Sequence, residues 1–335
     1  MTLNLKYKLD TSPKKHNCPG CNQKRFVRYI DSSTGNYLPE KFGRCDRETN
    51  CGYHLNPYKS GYELIDQKEN EPVILNRKIQ PVYFMPEKIL EATLKEYEKN
   101  VFISNLKRIV DKSEIEKVIA LYKVGTIGRG CRFGAVTFPF IDKSGNIRTI
   151  QVKQFDESNH TISTDYVHSI IMRHYKSTDS KLPEWLSNYL KNEKFVTCLF
   201  GEHLLTRFPA NPIALVEAPK TALIGSLYYG SCEDPENYLW LAVYNKSSLT
   251  VEKCKSLKGR KVVLFPDLNA FEDWSNKAKD LNKFIPGTQF SVSDTLQNMA
   301  NESDIKKGLD LADYLSKLDW HILQLMKSTN SLKYT

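Results

Sequence analysis

Between residues 212 and 318, short apolar runs alternate with stretches of helical periodicity. Residues 212–217, 238–244, 261–266 and 289–292 read as strands, being short, apolar and bounded by polar or turn residues. Residues 219–228, 249–257, 270–283 and 309–318 read as the helices between and after them. Such alternation predicts a parallel sheet with helices on both faces. Upstream the pattern differs. Two β-rich runs, 133–141 and 147–155, flank Asp142-Lys143-Ser144-Gly145-Asn146, which predicts a hairpin. Residues 86–123 repeat apolar positions at helical spacing, with Leu90, Leu94 and Tyr97 on one face, and 156–195 are polar with one helix near 183–191. The expected order is a distinct segment 1–60, a linker 61–85, a mixed α+β subdomain 86–205, an α/β domain 206–320 and a tail 321–335.

Composition narrows the class. The chain has 335 residues, 40% hydrophobic and 26% charged, which is ordinary for a folded globular protein and excludes collagen-like or disordered sequences. The longest apolar run is residues 238–244, far short of the roughly 20 residues a membrane helix needs. No apolar signal-like run opens the sequence, so a cytoplasmic, reducing environment is expected. Net charge is +9, and residues 1–60 hold eleven cations against five anions, a local surplus of +6. A basic segment of this kind suits a polyanion, of which nucleic acid is the commonest, or is a lysine-rich surface with no specific partner.

Cysteine placement changes the picture further. Cys18, Cys21, Cys45 and Cys51 fall in that basic segment, whereas Cys131, Cys198, Cys232 and Cys254 are scattered. Cys18-Pro19-Gly20-Cys21 is a knuckle whose two thiolates can face one tetrahedral Zn²⁺, and Cys45 with Cys51 is a wider second pair. The five-residue gap leaves His54 as an alternative to Cys51 for the fourth ligand. Arg25 to Ile30 alternates like a strand and is followed by a Gly35-Asn36 turn, the layout of a zinc ribbon. Arg25, Phe26, Arg28, Tyr29 and Arg44 interleave cations with aromatics, as single-strand nucleic-acid binders do when bases stack and phosphates are neutralised. Some of those aromatics must form the ribbon's own core.

The second chemical signal is acidic. Glu217 ends the first strand of the expected parallel sheet and Asp267 the third, with Asn269 two residues on. The carboxyl ends of parallel strands share one edge, so these side chains can converge and hold Mg²⁺ or Mn²⁺. Capping of the following helices is the plainer reading of a lone strand-end acid.

These motifs carry a resemblance. Ile213-Ala214-Leu215-Val216-Glu217-Ala218 and Val262-Val263-Leu264-Phe265-Pro266-Asp267-Leu268-Asn269 resemble the Glu-Gly and Asp-x-Asp motifs of Toprim domains. Residues 308–315, with Asp310 and Asp313, resemble a further acidic primase element. The 134–142 hairpin and Leu199-Phe200-Gly201 resemble the core of DnaG-type primases, and residues 43–54 resemble the ribbon of Toprim-like proteins carried by mobile elements and phages of Bacteroidetes-type bacteria. The resemblance implies Glu217 as general acid/base, Asp267 as metal ligand, and Lys220 and Lys153 as phosphate or nucleotide contacts. Ala218 replaces the family glycine and Asn269 the second aspartate, so Asn269 brings a carbonyl without charge, and Asp310 or Asp313 is left to supply it. The implied function is primer synthesis, with the ribbon on single-stranded DNA and the core on nucleotide. A catalytically inactive binding module and a Toprim nuclease are the alternatives. No GxxxxGK[ST] loop occurs, so any helicase would be a separate chain.

Overall fold

Residues Lys24–Asp31, with β-forming Phe26, Val27, Tyr29 and Ile30 among charged residues, make the central strand of the N-terminal unit in the computed structural model, which describes residues 6–47, 51–58, 60, 62 and 81–328. The chain divides into two units, 1–79 and 80–335. In the first, β1 (Tyr7–Leu9), β2 (His16–Asn17), β3 (Lys24–Asp31), β4 (Gly43–Cys45) and β5 (His54–Leu55) form one antiparallel sheet in the order β1-β3-β4-β5, with β2 also on β3. Two small clusters sit on it. One gathers Tyr7, Tyr29, Leu38 and Phe42, the other Phe26 with Cys18 and Cys45. Gly43 has no alternative here, because a Cβ would lie 2.3 Å from the Val27 carbonyl oxygen. Most of the expected linker lies outside the described residues.

The second unit holds two four-stranded sheets. The antiparallel one runs β6 (Gly125–Thr126), β7 (Val136–Ile141), β8 (Ile147–Phe155) and β9 (Thr161–Tyr166), in that order. β7 and β8 form the expected hairpin. Its turn is held by Asp142, whose Oδ1 accepts from the backbone N–H groups of Ser144 and Asn146. β9 and the Val167–Ser177 helix fall where the sequence reads as polar. β9 exposes three of its six residues at the sheet edge and buries one, so it carries no apolar alternation to find.

The parallel sheet contains β10 (Ile213–Val216), β11 (Leu239–Ala242), β12 (Lys261–Phe265) and β13 (Gln289–Val292), ordered β11-β10-β12-β13, with every pairing parallel. All four expected strands form. β10 and β11 are buried at every residue, as a sheet covered on both faces requires. The Pro219–Tyr229 helix returns across the sheet and sets Gly225 against the fully buried Trp240 ring. Phe138 and Phe140 of β7 pack edge-on against Phe200, which carries their sheet into the same core as β10 and β11. The segment before β10 also bridges the outer side of β11, with the Phe200 N–H donating to the Ala242 carbonyl at 2.8 Å and the reverse bond at 3.2 Å. The expected C-terminal tail begins as a helix, Trp320–Ser328, and 329–335 lie outside the described residues. No helix among the described residues is long and apolar enough to cross a membrane.

Candidate functional site

In the first unit, β2, β4 and the turns beside them bring four thiols together. Cys18 Sγ lies 3.6 Å from Cys51 Sγ, Cys21 Sγ lies 4.0 Å from Cys45 Sγ, and all four fall within 4.8 Å of one another. Tetrahedral Zn²⁺ with Zn–S bonds of about 2.3 Å demands S···S separations of about 3.8 Å, so the donor set fits zinc. The knuckle closes as such sites do: the Gly20 N–H points at Cys18 Sγ at 3.3 Å, and Asn22 takes φ 54° to reverse the chain. His54 is elsewhere, its Nε2 3.1 Å from the Tyr29 hydroxyl and its ring stacked on Tyr29, so the geometry selects Cys51 over His54.

The ribbon residues expected to meet nucleic acid separate into two sets. Phe26 and Tyr29 are buried, Phe26 against the cysteine cluster and Tyr29 in the other cluster, so neither offers a ring face for stacking. Tyr29 shares its small core with Tyr7, Leu38 and Phe42, and Phe26 is the one large ring buried beside Cys18 and Cys45. Arg28 is half-buried, lies over the Tyr37 ring at 4.8 Å and donates to the Leu38 carbonyl. Arg25 and Arg44 are exposed.

In the second unit, β10 and β12 are neighbours in parallel register, Val216 opposite Phe265, so Glu217 and Asp267 leave the sheet at the same end. Asp267 makes no side-chain capping bond to the turn that follows it. Burial pushes its carboxyl well above the usual range, and the carboxylates of Glu217, Asp310 and Asp313 add to the rise while Lys220 opposes it. Glu217 is raised likewise, by burial first, against the easing effect of the Lys246 backbone N–H and of Asp267 beside it. Glu217 Oε2 is buried without a hydrogen-bond partner.

The other two acids sit differently. Asp310 caps the Leu311–Leu315 helix and forms a reciprocal capping box with Asp313. Lys220 Nζ lies 3.1 Å from Asp310 Oδ2 and 3.3 Å from Asp313 Oδ1, and Thr221 Oγ1 donates to Asp310 Oδ2 at 3.1 Å. These acids hold the Lys220 amine above its ordinary range in spite of its burial. Lys153, on β8, comes close enough that burial and then the Lys220 charge depress its amine, with Glu217 opposing. Asn269 is exposed, its side chain lying where a Cβ on Gly308 would meet it at 2.9 Å. Among the described residues the four cysteines are the one set of three or more His, Cys, Asp or Glu side chains gathered tightly enough to hold a metal, so the acids make no ready-built cage of three.

Sequence reasoning missed Lys246 and Tyr244. Lys246 donates from Nζ to the Asn269 carbonyl at 2.7 Å and pairs with Asp273 at 2.8 Å. Its place just after β11, at the same edge as Glu217, was the available signal. Tyr244 takes φ 106°, costly for an aromatic residue, donates its backbone N–H to the Glu217 carbonyl at 2.9 Å, and hydrogen-bonds through its hydroxyl to Tyr166 of β9.

The family model described as a domain of unknown function, DUF6371, matches residues 100–268, and that of a zinc beta-ribbon finger matches residues 5–66. No match is found among curated proteins. Among solved structures, the zinc-binding and RNA polymerase domains of the Aquifex aeolicus primase share 13% identity over 96% of this chain and 80% of that one, with a TM-score of 0.44. The primase fragment of the bacteriophage T7 primase-helicase protein shares 10% over 88% and 98%, at 0.35. A DnaG primase catalytic domain bound to ssDNA shares 14% over 72% and 84%, at 0.38.

Proposed function

We propose that this chain, which belongs to the DUF6371 family of domains of unknown function, is a primase-like nucleic-acid protein with a zinc ribbon for single-stranded DNA and an acidic sheet edge for a divalent metal and nucleotide. The observation that carries this reading is the pair Glu217 and Asp267, side by side at the ends of adjacent parallel strands, both pushed up by burial, one with an unpartnered buried oxygen. Two such carboxylates fit a hard cation, and Asp267 is not engaged as a helix cap. Mg²⁺ or Mn²⁺ held there would bridge substrate phosphates and draw off charge as a new phosphodiester forms.

The remaining roles belong to the chain. Lys153 is the cation offered to phosphate, since burial leaves its ammonium poorly solvated beside the Lys220 charge, with Glu217 the acid that opposes the shift. Lys246, whose backbone N–H turns toward Glu217, helps fix that carboxylate. On the ribbon, Arg25 and Arg44 meet the phosphates, and Zn²⁺ on Cys18, Cys21, Cys45 and Cys51 holds the fold that presents them.

The test is incubation of purified protein with single-stranded DNA, NTPs and Mg²⁺ or Mn²⁺, read for short labelled oligomers. Products that vanish in Glu217→Gln support the reading. DNA binding without product supports a second reading, a binding module without chemistry, which the exposed and uncharged Asn269 favours. Shortened template would identify a nuclease.

A further inference from the structure

The four acids at the sheet edge are not equivalent, and the difference lies in which oxygens already have donors. Asp310 Oδ1 accepts from the Asp313 backbone N–H at 2.9 Å, and its Oδ2 accepts from Lys220 Nζ and Thr221 Oγ1, each at 3.1 Å. Asp313 Oδ2 accepts from the Asp310 backbone N–H at 3.0 Å, and its Oδ1 from Lys220 Nζ at 3.3 Å. Every carboxylate oxygen of this pair is therefore satisfied. On the opposing pair, Glu217 Oε2 is buried and has no partner, and Asp267 caps nothing.

We propose that Lys220 is a resident cation standing where a second metal ion would otherwise sit, so that the acidic edge takes one divalent ion, between Glu217 and Asp267. The inference rests on the metal-binding reading above and sharpens it to a stoichiometry. Two-metal sites place their ions about 3.5–4 Å apart, each needing its own oxygens. Here the oxygens for a second ion are bridged by a single ammonium. Lys220 is only 12% exposed, so it is not a mobile surface charge that an ion would brush aside. It stands one residue into the Pro219–Tyr229 helix, which is seated on Trp240 through Gly225, and the capping box holds its two acids rigidly from the other side.

Charge counting agrees. Glu217, Asp267, Asp310 and Asp313 contribute four formal negative charges; Lys220 offsets one from within the Asp310–Asp313 pair, Lys153 and Lys246 act on Glu217 from nearby, and Asn269 adds no charge. The loss of an acid at 269 and the capture of two acids by Lys220 act in the same direction, toward fewer metal positions. Among the described residues no three of these carboxylates are gathered closely enough to cage an ion, so the open oxygens of a single ion are left for water and substrate phosphate.

Mn²⁺ is a direct probe, because its electron paramagnetic resonance signal reports both how many ions bind and whether two lie close together. The full-length chain with its zinc in place is titrated with Mn²⁺. The wild type should bind one ion at this edge, lost in Asp267→Ala. Lys220→Met should bind two, with the dipolar broadening of a close pair, and Lys220→Arg should stay at one. Two coupled ions in the wild type or in Lys220→Arg would overturn the proposal while leaving the proposed function standing. One ion in a Lys220→Met protein that keeps wild-type circular dichroism would also overturn it. If Lys220→Met does not fold, the wild type and Lys220→Arg still decide. No Mn²⁺ in the wild type takes down the metal-binding reading and this inference together.

Discussion

Gly225→Ala is a small change with a calculable effect. A Cβ at this position would lie 2.5 Å from both Cδ2 and Cε3 of Trp240 and 2.8 Å from Cε2. Ordinary carbon–carbon contact is about 3.5–4.0 Å, so the overlap is about 1 Å. The indole has nowhere to go. It is fully buried, and the rings of Tyr229, Phe265 and Tyr238 lie against it at centroid distances of 5.1, 5.2 and 6.0 Å. The Pro219–Tyr229 helix must move instead. Alanine gains about 1 kcal/mol over glycine in a helix interior. Overpacking a rigid core costs about 1–3 kcal/mol, and a ring fixed on several sides belongs at the upper end. The net is a loss on the order of 1–2 kcal/mol. For a unit of this size that is a fall in Tm of roughly 2–8 °C. Thermal and urea unfolding of the zinc-loaded chain would measure it. An unchanged or higher Tm would refute the packing argument, because propensity alone predicts stabilisation.

Four further outcomes follow from the two sites. Protein purified without chelator should carry one Zn²⁺ per chain, with an apparent binding energy on the order of 10–16 kcal/mol coupled to ribbon folding; metal analysis below half an equivalent would refute it. Millimolar Mg²⁺ or Mn²⁺ should raise the Tm of the wild type and not that of Asp267→Ala, with about 2.7 kcal/mol of stabilisation once the ion reaches a hundredfold excess over Kd. Glu217 and Asp267 are both raised in the folded state, so the folded chain holds their protons to higher pH than the unfolded chain does. Metal-free stability tied to this pair is therefore full below the ordinary carboxylate range and is lost as pH rises through the raised values; Asp267→Asn should flatten that decline, and parallel Tm–pH curves for the two proteins would contradict it. Affinity for single-stranded DNA should fall with salt at a slope of roughly −0.7 per phosphate neutralised, and Arg25→Ala with Arg44→Ala should shallow it; an unchanged slope in the double variant places the contact elsewhere.

What could be read from the sequence was what local spacing or a topological rule constrains. A two-residue gap between cysteines limits the geometry of a metal knuckle whatever surrounds it, and the four cysteines do meet. Parallel strands must share an edge, so Glu217 and Asp267 could be placed together without a structure. Three features could not be read locally, the first two because they depend on contacts distant in sequence. Phe26 and Tyr29 look like stacking platforms among cations, but the ribbon needs them for its own interior. Lys220 looks like a phosphate-binding lysine until Asp310 and Asp313, some 90 residues later, close on it. The edge strand β9 is half in water, so it shows no alternation at all.

The bridge between Phe200 and Ala242 bears on how copies of this protein meet at high concentration. β11 is the outermost strand of the parallel sheet, and its backbone groups at Leu239 and Val243 already turn inward, donating to Pro212 and Val216. The outward side belongs to Trp240 and Ala242. Ala242 exchanges both of its backbone bonds with Phe200, and the Trp240 carbonyl accepts from the Tyr122 hydroxyl at 2.8 Å. An unprotected rim of apolar residues is a template on which a second chain can add a strand and begin to aggregate. Here that rim is sealed by one residue from the preceding loop and one phenol from the Lys112–Leu121 helix turn, so growth of the sheet by edge-to-edge pairing stops at β11.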